Sequence, residues 1–303
     1  MSIFFGVLVP YAALLTLLAG IVFRVLRWAK SPVPFRIPTT CGQQKSLPWI
    51  KSSWIESHGA CRVTVEALTF RSLWRNQQSG RIGTRLGTRL VYGPSRLLWF
   101  AAFAFHWSLL AILVRHLRLF LNPVPGVVAG LIALDGLFRV GTPAVYATDV
   151  VIMAALLTLV GRRLADSRLR YLSLPTDYLA LGLLLAVAGS GILLRYFFRT
   201  DLAAIKDYAL SLAAFSPRPP AGAGVLFYAH VFLVSVLMAW LPFSKLAHMA
   251  GIWLSPTLNL ANNSRAKRHV NPWNYAVRVH TYAEWEDEFR EKMKAAGLPV
   301  ERE

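Results

Sequence analysis

The stretch Leu97-Leu-Trp-Phe-Ala-Ala-Phe-Ala-Phe-His106-Trp-Ser-Leu-Leu-Ala-Ile-Leu-Val-Arg-His116-Leu-Arg-Leu-Phe120 is apolar for long enough to cross a bilayer, yet it carries two histidines ten residues apart. A hydrocarbon core about 30 Å thick takes about 20 residues of helix, and an ionisable ring at that depth is costly unless it serves a function. Four further stretches qualify as spans: Phe4 to Leu26, Ala144 to Val160, Tyr178 to Phe198 and Gly224 to Leu246. A shorter apolar run, Val124 to Leu137, carries Asp135 and is expected as a short helix at the outer interface. The expected fold is an all-α integral membrane protein of five transmembrane helices.

Charge supports this reading and orients it. The 303 residues are 55% hydrophobic and 16% charged, with a formal net charge of +18. In a soluble protein that excess would suggest a nucleic-acid partner; beside five apolar spans it belongs to membrane loops, and no nucleic acid is expected. Thirteen Lys and Arg fall between the first and second segments, four between the third and fourth, and eight after the fifth, whereas the opposite loops hold three and four. The positive-inside rule then puts the N-terminus outside and the C-terminus in the cytoplasm, as for a protein of the cytoplasmic (inner) membrane. The expected organisation is a first transmembrane helix over residues 1–26 and a basic cytoplasmic loop with an amphipathic helix over 27–96. A four-helix membrane core over 97–250, whose cofactors the histidines below imply, and a cytoplasmic tail over 251–303 follow. The first helix, with its cations only on the C-terminal side, reads as a retained anchor. In the loop, Arg81, Arg85 and Arg89 recur at helical spacing and would share one face against anionic membrane lipid. Tyr282 to Lys294 reads as a short solvated or partner-binding helix.

Four of the seven histidines lie in or at the ends of two segments: His106 and His116 on the second, His230 and His248 on the fifth. These segments run in opposite directions, which pairs His106 with His248 and His116 with His230. On straight helices the ten-residue gap is about 15 Å and the eighteen-residue gap about 27 Å, a mean near that of two stacked macrocycles. A bis-imidazole site closed on both sides suits low-spin haem iron, whereas zinc normally takes four ligands. With only two cysteines and no CxxCH, covalent haem is excluded, so two stacked haems b between helices 2 and 5 are expected. The inner iron falls to His106 and His248, the outer to His116 and His230. Ala186 to Gly191 is small enough to flank a macrocycle or simply to pack helices closely, and Arg195 after it could pair with haem propionates. Pro242, six residues before His248, either kinks the fifth segment or ends it at the membrane face. Cys41, His58 and Cys61 have partly ligand-like spacing but no fourth ligand.

This arrangement of histidines on the second and fifth of five spans resembles the dihaem b gamma subunit of respiratory nitrate reductase. The strings Phe105-His106-Trp107, Arg115-His116-Leu117-Arg118, Pro242-Phe243-Ser244-Lys245-Leu246 and Asn263-Ser-Arg-Ala-Lys-Arg-His-Val-Asn-Pro-Trp-Asn274 are similar to the DsrM subunits of the sulfite-reduction-associated Dsr membrane complex, from Leu68 onward. The resemblance implies electron exchange between menaquinone and a cytoplasmic iron-sulfur subunit of heterodisulfide-reductase type. It also implies other Dsr membrane-complex subunits as partners and a place in dissimilatory sulfur metabolism. A rival from another class is a haem-free proton-coupled transporter or membrane scaffold with a buried histidine relay. A quinone needs donors for two carbonyl oxygens and a proton exchanger near a haem. Arg115, Arg118, Asp135, Arg139, Tyr146 and Asp149 gather at the outer ends of segments 2 and 3. Of these, Asp149, Tyr146 and Arg139 are the expected quinone site, with Tyr146 and Asp149 three apart on one helical face.

Overall fold

Apolar runs bounded by charge or by proline become helices, in a computed structural model that describes residues 2–30, 59–75, 77–84, 87–198, 200–254 and 279–301. Along the chain these are α1 (Phe4–Ala29), α2 (Gly59–Thr69), α3 (Arg71–Arg75), strands β1 (Gln77–Thr84) and β2 (Gly87–Pro94), then α4 (Arg96–Phe120) and α5 (Gly126–Leu137). A two-residue ladder, β3 (Arg139–Val140) and β4 (Val145–Tyr146), leads into α6 (Ala147–Ala165), α7 (Ser167–Leu172), α8 (Pro175–Phe197) and α9 (Leu202–Ala213). The chain continues through α10 (Val225–Trp240), 3-10 turns at Leu241–Phe243 and Lys245–Ala247, α11 (His248–Gly251) and the tail helix α12 (Tyr282–Ala295).

Among the described residues, α1, α4, α8 and α10 with its extension to Phe243 are long and apolar enough to cross a membrane. The chain is therefore a multi-pass membrane protein. The remaining expected span is α6, 19 residues long, with Asp149 in its first turn and Arg162 and Arg163 in its last. It is the centre of the bundle: Ile152, Ala155 and Leu156 of α6 form one buried cluster with Phe105 of α4 and Leu184 of α8. Outward, Leu15, Leu18, Val22 and Phe23 of α1 are exposed apolar groups, which in a soluble protein would be an aggregation surface and here fit lipid.

One local expectation is corrected. The arginine repeat does not form a helix: β1 and β2 pair antiparallel with Arg81 opposite Leu90 and Ile82 opposite Arg89. Its glycines disfavour helix, and Gly87 takes a φ of +112° just past the turn, a conformation open to glycine at little cost. Arg85 itself, with Cys41, His58 and the whole Asn263 to Asn274 string, lies outside the described residues. Between α2 and α3 the chain turns a corner at Phe70, which sits at a φ of +51°. The corner is fastened to α4, where the indole Nε1 of Trp99 donates to the Thr69 carbonyl at 3.0 Å and that of Trp107 to the Leu68 carbonyl at 3.2 Å. Carbonyls left over at a helix end thus find side-chain donors. The short outer helix and the tail helix form as expected, and the tail is capped by Thr281, whose hydroxyl accepts from Glu284 N at 3.3 Å.

Candidate functional site

Each of the four membrane histidines has one ring nitrogen committed. On α4, His106 Nδ1 donates to the Ala102 carbonyl and His116 Nδ1 to the Ile112 carbonyl, both at 2.7 Å and both one turn back. His248 Nδ1 donates to the Lys245 carbonyl at 2.9 Å. A carbonyl oxygen can only accept, so the proton sits on Nδ1 and the lone pair on Nε2. His230 Nδ1 lies 2.8 Å from Ser190 Oγ; that hydroxyl gives its own proton to the Val187 carbonyl, 3.1 Å away, and so accepts from His230. All four imidazoles are therefore the tautomer of a metal ligand, with one nitrogen fixed by a second partner and the other open.

They also fall in pairs. The rings of His106 and His248 have centres 5.9 Å apart and planes crossed at 79°. Two metal–imidazole bonds of about 2 Å in line, plus the half-width of each ring, separate ring centres by about 6 Å. This pair thus has the span of two axial ligands on one ion. His116 and His230 are close enough for electrostatic coupling between the two sites. A side chain at Gly191 would put its Cβ 3.2 Å from His230 Cε1, so the glycine lets that ring lie against α8.

The fifth segment ends its α-helix just before Pro242, one of the two outcomes expected of that proline. Its α-helix ends at Trp240 and the chain proceeds through two 3-10 turns to His248. Pro242 has no amide hydrogen and crowds the preceding turn. The break resolves a mismatch: straight helices would separate His230 and His248 by about 27 Å but His106 and His116 by only about 15 Å. Without it the two pairs could not both meet.

Beside His116, Arg115 is 4% exposed and lies between two carboxylates that are 6% and 5% exposed, Asp135 of α5 and Asp149 of α6. It donates to Asp135, to Thr148 Oγ1 at 2.9 Å and to Asp149 Oδ1 at 2.6 Å. Tyr196 closes the cluster, donating to Asp149 Oδ2 at 2.6 Å and accepting from Tyr146 N at 3.0 Å. The Tyr146 ring is met by the guanidinium groups of Arg195, Arg115 and Arg139 at 4.4, 4.7 and 5.3 Å. Tyr146 precedes α6 as its N-cap rather than lying on its first turn; it shares the cluster with Asp149 through Tyr196, not through helical spacing. Arg195 and Tyr196 sit in a π-helical turn, Leu193–Phe197, at the end of α8, a widened turn often found at functional sites. Among the described residues, Arg115 Nε is the one buried side-chain nitrogen or oxygen without a partner, a donor that an acceptor oxygen of a ligand would satisfy.

The family model described as the nitrate reductase gamma subunit matches residues 63–265, a stretch that takes in all four of these histidines. This chain belongs to the nitrate reductase gamma subunit family. Two relatives of the gamma-family chain are each named as an Hdr-like menaquinol oxidoreductase cytochrome b-like subunit. The one from Archaeoglobus fulgidus is 42% identical over 290 residues, covering 91% of this chain and 85% of the relative. The one from Archaeoglobus profundus is 40% identical over 277 residues, covering 88% and 81%.

Several site residues of this gamma-family chain were not singled out by sequence. Ser190 was visible only as one of a run of small residues, and Tyr196 not at all, because nothing local marks either as a partner of a group 40 or more positions away. Phe70 lies with its ring 4.8 Å from that of His106. Asp177 of α8 pairs with Lys245 Nζ at 2.7 Å, tying down the residue whose carbonyl holds His248.

Proposed function

We propose that this gamma-family chain is the membrane cytochrome b subunit of a DsrM-type complex. It exchanges electrons between menaquinol and a cytoplasmic iron-sulfur subunit of heterodisulfide-reductase type, within dissimilatory sulfur metabolism. The observation that carries this reading is the set of four histidines in two pairs, each with Nδ1 committed to an acceptor and Nε2 open. His106 with His248 would hold the inner haem b and His116 with His230 the outer. Haem b bound between two imidazoles supplies one-electron transfer at an iron with no open position. α6 is the fifth span of this reading, since it forms the centre of the bundle between α4 and α8, with the N-terminus outside and the cytoplasmic membrane as location.

The residues divide the work. Ala102, Ile112, Lys245 and Ser190 orient the imidazoles through their acceptor oxygens. Arg195, which has no carboxylate partner among the described ion pairs, suits a propionate. At the outer end, Arg139 and Tyr146 bind the quinol headgroup where it arrives from lipid. Asp149 takes a proton at Oδ2 by way of Tyr196 Oη, while Arg115 keeps the carboxylate charged and in place until it does so.

The experiment is haem quantification with a reduced-minus-oxidised spectrum of purified protein. Wild type should bind two haems b per chain. His106→Ala and His248→Ala should each lose the inner one, and His116→Ala and His230→Ala the outer. A colourless wild type would favour the histidine-relay transporter and end this reading.

A further inference from the structure

The first helix lies outside the stretch matched by the family model, which begins at residue 63, yet it is fitted to the break that delivers His248. Pro242 leaves its own carbonyl without the usual helical donor, because the amide that would serve it, Leu246 N, donates to Ser244 Oγ at 3.1 Å. The donor comes from α1: Arg24 Nε reaches the Pro242 carbonyl at 2.8 Å. One turn before Arg24, Gly20 forms a notch for the proline ring, which is under 2% exposed. A Cβ at Gly20 would stand 2.6 Å from Pro242 Cβ and 2.7 Å from its Cγ, closer than packed carbons approach. One turn after it, Trp28 lies under Arg24 with 5.4 Å from guanidinium carbon to ring centre. The same indole fills the space that a side chain at Gly251, just past His248, would take, 3.3 Å from its Cβ.

We infer that α1 is a positioning element for the inner metal ligand, fixing the place and ring orientation of His248 through Gly20, Arg24 and Trp28. The path is short. α1 holds the Pro242 carbonyl and ring, the turn from Pro242 to Ala247 is set between that point and the Lys245–Asp177 ion pair, and the Lys245 carbonyl holds His248 Nδ1. Two 3-10 turns in succession have poorer hydrogen bonding than an α-helix and need outside support to keep one geometry. α1 also packs on α10, with the ring of Phe5 5.6 Å from that of Phe232, but there His230 lies inside a regular helix and its ring is braced by Ser190 of α8, so its orientation does not pass through Gly20, Arg24 or Trp28.

This inference rests on the two-haem reading, and the experiment separates their failures. Full-length Gly20→Ala, Arg24→Gln and Arg24→Lys are purified beside wild type and beside Tyr11→Phe. The last removes a donor from the other end of α1, where Tyr11 Oη gives to the Leu212 carbonyl at 2.8 Å. Haem content, the low-spin EPR signals and the midpoint potential of each haem are measured. Expected is a change in the EPR position and potential of the inner haem in Gly20→Ala and Arg24→Gln, partial recovery in Arg24→Lys, and no change in Tyr11→Phe or in any outer-haem signal. Unchanged inner signals in both Gly20→Ala and Arg24→Gln overturn the inference, as does a loss of both haems together in these two, which would make α1 a brace for the whole bundle. A wild type without haem overturns the functional reading and this inference with it.

Discussion

Replacing Ser190 by alanine removes the hydroxyl that accepts from His230 Nδ1, and the consequence can be worked out from the geometry. Ser190 Oγ accepts from His230 Nδ1 at 2.8 Å while giving its own proton to the Val187 carbonyl. The alanine methyl leaves the ring only the Val187 carbonyl as acceptor. A neutral hydrogen bond of this kind has a net worth of about 1 kcal/mol. Outer partners of metal-bound imidazoles are worth about 10–100-fold in metal affinity, of the same order. The sign of the redox effect follows from the chemistry: an acceptor on Nδ1–H makes the imidazole more electron-donating and favours the oxidised iron. Its loss should raise the outer midpoint potential. About 1 kcal/mol on a one-electron couple is about 40 mV, since a tenfold change corresponds to about 59 mV. A redox titration followed at the b-type α-band would therefore show the outer haem moved upward by tens of millivolts, or partly lost, with the inner haem unmoved. Ser190→Thr, which keeps the hydroxyl, should restore most of the wild-type value. An upward shift of the inner haem alone, or identical titrations in Ser190→Ala and wild type, would refute the pairing of His230 with His116.

Asp149→Asn should leave both haems bound yet slow their reduction by a menaquinol analogue about tenfold or more, as loss of a proton acceptor does; normal reduction in that variant, with inhibition by changes near His248, would move the quinol site to the inner haem. Arg115→Met strands Asp135 and Asp149 without their cation, and a buried pair broken on one side costs about 3–5 kcal/mol. Thermal inactivation in detergent should come at clearly lower temperature, and Arg115→Met combined with Asp149→Leu should recover part of the loss. Equal stability of Arg115→Met and wild type would count against the cluster. Cysteine labelling from outside should reach introduced sites at Asn122 and Ser216 but not at Ser79 or Asn263; the reverse pattern would invert the membrane and exchange the inner and outer pairs.

The sequence by itself settled what depends on local composition and period. Apolar length gave the membrane helices, because a bilayer of fixed thickness demands it. The charge asymmetry of the loops predicts an orientation, which the labelling experiment tests, and the antiparallel order of two segments was enough to pair His106 with His248, whose rings do meet. Arginines and aspartates read as neighbours at the outer end are neighbours, since burial at membrane depth forces opposite charges together. Where local rules competed, sequence misled or left the choice open. The arginine repeat has helical spacing, but its glycines favour a hairpin; for the fifth segment the sequence left open whether Pro242 kinks the helix or ends it, and the structure shows that it ends. Tertiary structure alone decided the rest. That the eighteen residues after His230 arrive level with His106 depends on the Pro242 carbonyl accepting a hydrogen bond from Arg24 Nε, 218 positions away. That each imidazole presents Nε2 depends on which oxygen lies beside Nδ1, and for His230 that oxygen belongs to another helix. Such contacts have no period along the chain, because they are made by helices meeting in three dimensions, and only the packed bundle fixes them.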